Sequence, residues 1–185
     1  MDNLLILWFW YDDVMKIILE FSDQDLDPAA PPRSRAEYKQ REAARAVMAD
    51  GEGRIALLHV VKYGYYKLPG GGIDPGEGVE QALRRELAEE TGCEAEVTGE
   101  IGKTIEYRDQ GDFRQVSYAF TARMVGAQRA PEFTAKELDE EFEMVWAADL
   151  EDAISLVGSA RPQLYAAKHI QKRDLAILEA VKARS

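Results

Sequence analysis

Three consecutive glycines, Gly70–Gly72, precede a helix whose second half is crowded with glutamates. We predict the helix over Gly78–Thr91, because apolar residues recur at helical spacing from Val79 to Leu87 and a glycine at the C-terminal cap position follows. The three glycines stop any regular element before the helix, since they give the backbone maximal freedom. Any fold of this chain must therefore place an adaptable loop next to a highly charged helix.

The glutamates of this helix lie together. Glu86, Glu89 and Glu90 are three and four residues apart, so their side chains project from one side of the helix. Two carboxylates four residues apart repel by roughly 0.2–0.5 kcal/mol, and the helix dipole also disfavours negative charge in this half. A divalent cation would explain the cluster, because hard cations such as Mg²⁺ take carboxylate and carbonyl oxygens as ligands. A carbonyl of the glycine loop offers a further oxygen.

An arginine beside the cluster provides a means of fixing the loop. Arg85 can pair with Glu77 through a bidentate contact and so hold the loop against the helix. A glycine turn or a glutamate-rich helix on its own is ordinary surface structure. Together, the glycines, the arginine and the glutamates indicate a site for chemistry.

The rest of the chain predicts the α/β class, with a mixed sheet between helices. The expected strands are Val14–Phe21, Glu42–Met48, Arg54–Lys62, Glu94–Val97, Gly99–Tyr107, Phe113–Val125 and Glu143–Ala147. The second and third of these form a hairpin around the turn Asp50–Gly53. Asp149 caps a short helix that ends at Gly158, and Ser159 caps a longer one with Pro162 in its first turn. In that longer helix one face carries the core residues Leu164, Ala167, Leu175, Leu178 and Val181.

The length of 185 residues fits one domain. We expect residues 1–40 to form N-terminal strands and a proline-containing loop packed on the core, and residues 41–185 to form the main unit. The apolar run Leu4–Tyr11 is too short to span a membrane and is flanked by aspartates, which also argues against a signal peptide. It is either a buried strand or terminal arm, or the contact surface of a homodimer.

Composition excludes several classes of function. The net charge of −11 argues against a protein that binds a nucleic acid polymer through a basic surface. A single cysteine, Cys93, cannot form an internal disulfide, and two distant histidines do not suggest a local histidine site. No address or membrane anchor is visible, so we expect a cytoplasmic protein that acts without a membrane.

The segment Gly71–Cys93 resembles the signature of the Nudix hydrolases, G-x5-E-x7-R-E-U-x-E-E-x-G-U, where U is a bulky apolar residue. The matching residues are Gly71, Glu77, Arg85, Glu86, Leu87, Glu89, Glu90, Gly92 and Cys93. The only loose match is Cys93, which behaves as a small hydrophobe. The resemblance covers 23 residues directly and implies the α/β/α sandwich of that family, with residues 41–185 as the Nudix domain.

The resemblance implies a metal-dependent hydrolase that cleaves the pyrophosphate linkage of a small-molecule nucleoside diphosphate derivative. Mg²⁺ or Mn²⁺ would be held by Glu86, Glu89 and Glu90 with the carbonyl of Gly70, and Arg85 with Glu77 would be the orienting pair. The catalytic residues would thus be Glu86, Arg85 and Glu77. The general base is either Glu86 or a glutamate of the segment Thr134–Glu143, where the candidates are Glu137, Glu140, Glu141 and Glu143.

Substrate contacts lie outside the signature. Tyr63, Tyr65 and Tyr66 can stack on a base or sugar, and Arg41, Arg45, Arg108 and Arg114 can contact phosphates. We take Arg45, Tyr66, Gly71, Gly72 and Glu141 as the substrate-binding residues. The segment Glu94–Gly111 lacks the proline common in ADP-ribose-cleaving relatives, which weakens that choice. The alternatives to an enzyme are a catalytically inactive Nudix-fold module that binds nucleotides or regulates a partner, and a helix that binds Mg²⁺ or Ca²⁺ for structure alone.

Overall fold

A computed structural model of the protein describes residues 15–31, 33–35 and 38–184. Seven strands form one mixed sheet in the order β1-β5-β6-β2-β3-β4, with β7 paired to β3. The strands are β1 Ile17–Ser22, β2 Lys39–Ala49, β3 Ile55–Val60, β4 Tyr65–Lys67, β5 Glu94–Arg108, β6 Phe113–Val125 and β7 Phe142–Ala147. The helices are α1 Val79–Thr91, α2 Ala135–Asp139, α3 Leu150–Ser159 and α4 Tyr165–Lys182, and short 3₁₀ turns follow β1, β3 and β5.

Helices cover both faces of the sheet, as the sequence predicted. On β2, Ala46 and Met48 face a core that includes Leu83 and Leu87 of α1. Val47, between them, points to the opposite face and belongs to the core under α3 and α4. This alternation follows from the two-residue period of a strand, which sends successive side chains to opposite faces. The α/β class and the α/β/α sandwich are therefore confirmed.

The predicted hairpin of β2 and β3 is only partly correct. The two strands pair in antiparallel fashion at Ala49 and Ile55 and then diverge. Beyond that point β2 bonds instead to the glycine segment: the amide of Ala44 donates to the Gly71 carbonyl at 3.0 Å, and the amide of Ala46 donates to the Pro69 carbonyl at 3.1 Å. The segment that we expected to stop regular structure thus accepts hydrogen bonds from backbone N–H groups of β2. The separation of β2 from β3 leaves room for a cleft.

Two further elements differ from expectation. The predicted strands Glu94–Val97 and Gly99–Tyr107 form one strand, β5, whose register shifts at bulges near Gly99 and Gly102. The last helix does not begin at Ser159, because the side chain of Arg161 donates to the carbonyls of residues 158, 159 and 160 and so ends α3 there. Pro162 then favours an extended backbone, α4 begins at Tyr165, and Leu164 is exposed rather than in the core.

The N-terminal part of the chain adds one edge strand to the sheet. β1 pairs in parallel with β5, from Ile17 beside Lys103 to Ser22 beside Tyr107. The apolar run Leu4–Tyr11 lies outside the described residues. In the part of the chain that the structure describes, no helix has the length and apolar character needed to cross a membrane.

Candidate active site

Helix α1 presents the glutamates because its other face is buried. Leu83 and Leu87 are fully buried in the core, which turns the opposite side of the helix towards the glycine segment. Gly78 caps the start of the helix in an extended conformation, and Gly92 ends it with a φ of 69°. That left-handed value strongly favours glycine, as the sequence predicted for this cap.

Arg85 links the loop to the helix. Its Nε and Nη2 donate to the two carboxylate oxygens of Glu77 at 3.0 and 2.9 Å, and Nη2 also donates to the Gly72 carbonyl at 3.1 Å. The hydrogen bonds from Arg85 lower the pKa of Glu77, and those to Glu77 raise the pKa of Arg85. The predicted bidentate contact is therefore present, and it fixes the loop by a charged pair.

The same guanidinium brings two signature glutamates together. Nη1 of Arg85 lies 2.8 Å from Oε1 of Glu86 and 3.3 Å from Oε2 of Glu89. The Glu86 carboxylate packs directly against Gly71, where a β-carbon would lie 2.2 Å from it. A glycine at position 71 is thus required for Glu86 to occupy its place.

Glu90 lies deeper than the other two. Its Oε1 accepts from Nζ of Lys67 at 3.0 Å and its Oε2 accepts from the amide of Gly70 at 2.6 Å. Burial raises the pKa of Glu90, opposed by Lys67 and the Gly70 amide. The structure therefore shows Gly70 contributing its N–H group to Glu90, and Lys67 as a partner of this glutamate that sequence reasoning missed.

The glutamates fit a hard divalent cation by the kind of ligand that they offer, since carboxylate oxygens are what Mg²⁺ and Mn²⁺ prefer. Within the described residues, no three acidic, histidine or cysteine side chains converge closely enough to form a complete metal site. Arg85 occupies oxygens of Glu86 and Glu89, and Lys67 occupies one of Glu90. A cation would use the other oxygen of Glu86 and of Glu89, and at Glu90 it would compete with Lys67.

A cleft of about 390 Å³ opens beside these residues. Of the predicted substrate-binding residues, Arg45, Gly71 and Gly72 line it, together with Glu86 and Glu90. Further lining comes from Tyr63, Tyr65, Arg41 and Arg108, whereas Arg114 lies in a neighbouring groove.

Two predicted substrate-binding residues lie away from the cleft. Tyr66 stacks on His59, with ring centroids 4.4 Å apart, and packs with the core under α3 and α4. Glu141 is exposed beyond the end of α2, with a φ of 56°. The glutamates of this acidic segment that line the cleft are Glu137 and Glu140. The capping box of Thr134 and Glu137 folds the segment into the short helix α2.

Buried charged residues lie at and beneath the floor of the cleft, and sequence reasoning missed two of them, Arg173 and Asp174. Arg173 and Asp174 of α4 are buried and ion-paired at 2.7 Å, and Oδ2 of Asp174 accepts from the amide of Leu68 at 2.8 Å. Glu106 of β5 is fully buried, and the nearby Arg173 and Arg108 outweigh the effect of burial and lower its pKa. The available signal was the presence of charged residues at positions where strand and helix periodicity predict burial.

Arg45 has the least compensated charge of this group. It is 6% exposed, and its Nη1 donates to the Ala44 carbonyl at 3.0 Å. Its Nε is buried and finds no hydrogen-bond partner among the described residues. Burial, together with the charge of Arg173, lowers the pKa of Arg45 to about 10.

Comparison with known proteins places this arrangement in a family. The NUDIX domain matches residues 39–167, more than half of the chain. An ADP-ribose pyrophosphatase of Bacillus subtilis is 29% identical over 167 residues, which cover 85% of this chain and 87% of that protein. An RNA pyrophosphohydrolase of Erythrobacter litoralis is 34% identical over 70 residues, and the chain covers 43% of its length.

Solved structures agree on the fold. A NUDIX hydrolase from Nitrosomonas europaea superimposes with a TM-score of 0.59 at 17% identity, over 79% of this chain and 90% of that one. Identity this low supports the fold alone. The match of the NUDIX domain over most of the chain, together with the intact signature at Gly71–Cys93, shows that the chain belongs to the Nudix hydrolase family.

Proposed function

We propose that the protein hydrolyses the pyrophosphate linkage of a nucleoside diphosphate joined to another moiety, with Mg²⁺ or Mn²⁺ as cofactor. The observation that carries the proposal is the set of contacts made by Arg85. One guanidinium contacts Glu77, the Gly72 carbonyl, Glu86 and Glu89. Two of these, Gly72 and Glu86, line the cleft, which is also lined by arginines. A purely structural helix would not need this loop, this arginine and this cleft together.

Glu86, Glu89 and Glu90 would hold the cation, with a carbonyl of the glycine segment as a further ligand. A cation bound there would neutralise phosphate oxygens and lower the pKa of a bound water. Arg85 would keep Glu86 and Glu89 aligned, and Glu77 would keep Arg85 in place. The Gly70 amide would hold one carboxylate oxygen of Glu90 next to the glycine segment.

The chain itself would bind and position the substrate. Arg45, Arg41 and Arg108 supply positive charge for the phosphates, and Tyr63 and Tyr65 supply aromatic surface for the nucleoside. Glu86, or a cleft-lining glutamate at α2, would take the proton from the attacking water. The candidates are now Glu137 in α2 and Glu140 directly after it, since Glu141 and Glu143 do not line the cleft.

Among the relatives, those named as pyrophosphohydrolase and pyrophosphatase support cleavage of a pyrophosphate bond. The ADP-ribose pyrophosphatase aligns over most of this chain, which makes ADP-ribose the first substrate to assay, although β5 lacks a proline. The choice between Mg²⁺ and Mn²⁺, a cytoplasmic location and a homodimer contact at residues 4–11 stay predictions.

The test is phosphate or nucleotide release from a panel of nucleoside diphosphate derivatives and nucleoside triphosphates with Mg²⁺. We expect turnover by the wild type and a fall of roughly tenfold or more in Glu86→Gln. The matched control is Glu80→Gln, the same change on the same helix at a surface pair with Arg84. Nucleotide binding without turnover by the wild type would instead support a catalytically inactive binding module. Equal turnover by wild type and Glu86→Gln would contradict the assigned role of Glu86.

A further inference from the structure

One carboxylate oxygen beneath the cleft accepts hydrogen bonds or ion pairs from three side chains. Oε1 of Glu106 lies 2.7 Å from Nε2 of Gln115, 3.1 Å from Nη2 of Arg108 and 3.5 Å from Nη1 of Arg173. The three donors come from β6, β5 and α4, which are distant in sequence. A single buried oxygen therefore ties together three elements at the cleft floor.

The donors face the cleft, whereas the acceptor lies behind them. Arg108, Arg173 and Gln115 all line the cleft. Glu106 is 0% exposed, so it does not reach a ligand directly. It can act on a ligand only through the side chains that it orients.

The floor carries more positive than negative charge. Arg108 and Arg173 each contact a carboxylate, whereas Arg45 contacts none among the residues that the structure describes. The buried Nε atoms of Arg45 and Arg108 also find no acceptor within that part of the chain. A buried cation without a partner is costly, and a phosphate group is an anion with enough acceptor oxygens to satisfy several guanidinium donors.

We propose that Glu106 is a positioning residue that is held by Gln115 and orients Arg108 and Arg173, and that these two arginines, together with Arg45, form a phosphate-binding floor of the cleft. The floor binds a phosphate of the ligand on the side of the cleft away from helix α1. The inference rests on the proposed function in taking the ligand to be a phosphate ester or anhydride. Beyond the proposed function, the inference assigns Glu106 as the residue that sets the geometry of the phosphate site.

The direction in which phosphate affinity changes in one variant shows whether Glu106 orients the donors or only balances their charge. Glu106→Gln has nearly the same shape, removes a negative charge and so leaves the floor more positive. If Glu106 only balanced charge, this change would strengthen phosphate binding. If Glu106 orients the donors, binding weakens despite the gain in positive charge, because the new amide cannot accept from all three groups.

The experiment is isothermal titration of inorganic pyrophosphate into the full chain with EDTA present, so that neither metal nor turnover is needed. We expect the wild type to bind, Glu106→Gln to bind about fivefold more weakly, and Arg45→Met to bind about tenfold more weakly. The matched control is Glu96→Gln, which removes the same charge from the same strand at an exposed pair with Arg123 and should leave the Kd within about twofold.

Circular dichroism and thermal unfolding show whether each variant is folded. If Glu106→Gln does not fold, Gln115→Met decides, because it removes the hydrogen bond that holds the Glu106 carboxylate without changing charge; we expect roughly threefold weaker binding. Unchanged or tighter binding by a folded Glu106→Gln, unchanged binding by Gln115→Met, or no binding by the wild type would each overturn the inference.

A parallel assay of nucleotide hydrolysis separates this inference from the proposed function. Where turnover is found, Glu106→Gln should raise KM about fivefold and change kcat less than KM. Pyrophosphate binding that depends on Glu106, without hydrolysis of any nucleotide, would leave the floor in place and refute the proposed function. Hydrolysis of a nucleotide with an unchanged KM in Glu106→Gln would support the proposed function and refute the role of Glu106.

Discussion

The close contact between Gly71 and Glu86 allows a substitution that should separate activity from stability. In Gly71→Ala the new β-carbon would lie 2.2 Å from the Glu86 carboxylate, whereas ordinary contact begins at about 3.4 Å. The carboxylate must therefore move by roughly 1.2 Å, the difference between these distances. It is the end of a flexible side chain, so it can move without displacing the backbone.

The expected effects follow from that displacement. A misplacement of about 1 Å in an active site costs on the order of 100-fold in rate, which corresponds to about 2.7 kcal/mol. Stability should change by less than about 1 kcal/mol, because alanine restricts the unfolded chain by about 0.4–1 kcal/mol and this gain offsets the strain in Glu86. The neighbouring Gly70 provides the contrast. Its β-carbon would lie 2.2 Å from the Ala44 carbonyl oxygen, with a φ of 124°, so Gly70→Ala should lose several times more stability.

Urea unfolding measures the stability of each variant, and nucleotide hydrolysis at saturating Mg²⁺ measures kcat/KM. Gly51→Ala is the matched control, since nothing lies within 4 Å of its β-carbon, and both quantities should stay at the wild-type level. Wild-type activity in Gly71→Ala would refute the placement of Glu86 against the glycine segment. A loss of stability as large as that of Gly70→Ala would show that the backbone, and not the carboxylate, has to move.

Three other substitutions test separate parts of the site. Glu77→Gln should lower the free energy of unfolding by about 1–2 kcal/mol at pH 7. Because the pKa of Glu77 is lowered from its ordinary value of 4.5 in the folded state, this contribution is present above that pH and is lost as pH falls through the lowered pKa. Urea unfolding of wild type and variant should therefore converge as pH falls below the lowered pKa of Glu77, and an unchanged difference would contradict the ion pair with Arg85. Lys67→Met should destabilise the protein by about 3 kcal/mol in EDTA, since it leaves the buried Glu90 without its cation, and an unchanged unfolding midpoint would show that the pair contributes nothing. Tyr63→Ala should raise KM and Tyr66→Ala should not, because Tyr63 lines the cleft and Tyr66 packs on the other face of the sheet; equal KM changes would refute that division.

The parts of the molecule that the sequence predicted are those fixed by nearby residues. Helix α1, its Gly92 cap and the contact between Arg85 and Glu77 depend on spacings of a few residues and on local charge. The α/β class followed from the alternation of apolar strands and helices. The division of the chain at residue 40 stays a prediction.

The parts that the sequence did not predict depend on long-range packing. The floor joins Arg45, Glu106, Gln115 and Arg173 from four elements, and no local pattern brings them together. The pairing of β2 with Gly71 depends on the divergence of β2 from β3. Tyr66 lies outside the cleft because successive side chains of β4 point to opposite faces of the sheet. Which of them faces the cleft is set by the strands that pair with this three-residue strand.

The most direct test of the metal site is the affinity for Mn²⁺, measured by electron paramagnetic resonance of the free ion in titrations of the metal-free protein. We expect one or more bound ions in the wild type, roughly tenfold weaker binding in Glu86→Gln and in Glu89→Gln, and wild-type binding in Glu80→Gln. Equal affinity in all four proteins, or no bound Mn²⁺ in the wild type, would contradict the claim that the acidic side of α1 binds a divalent cation.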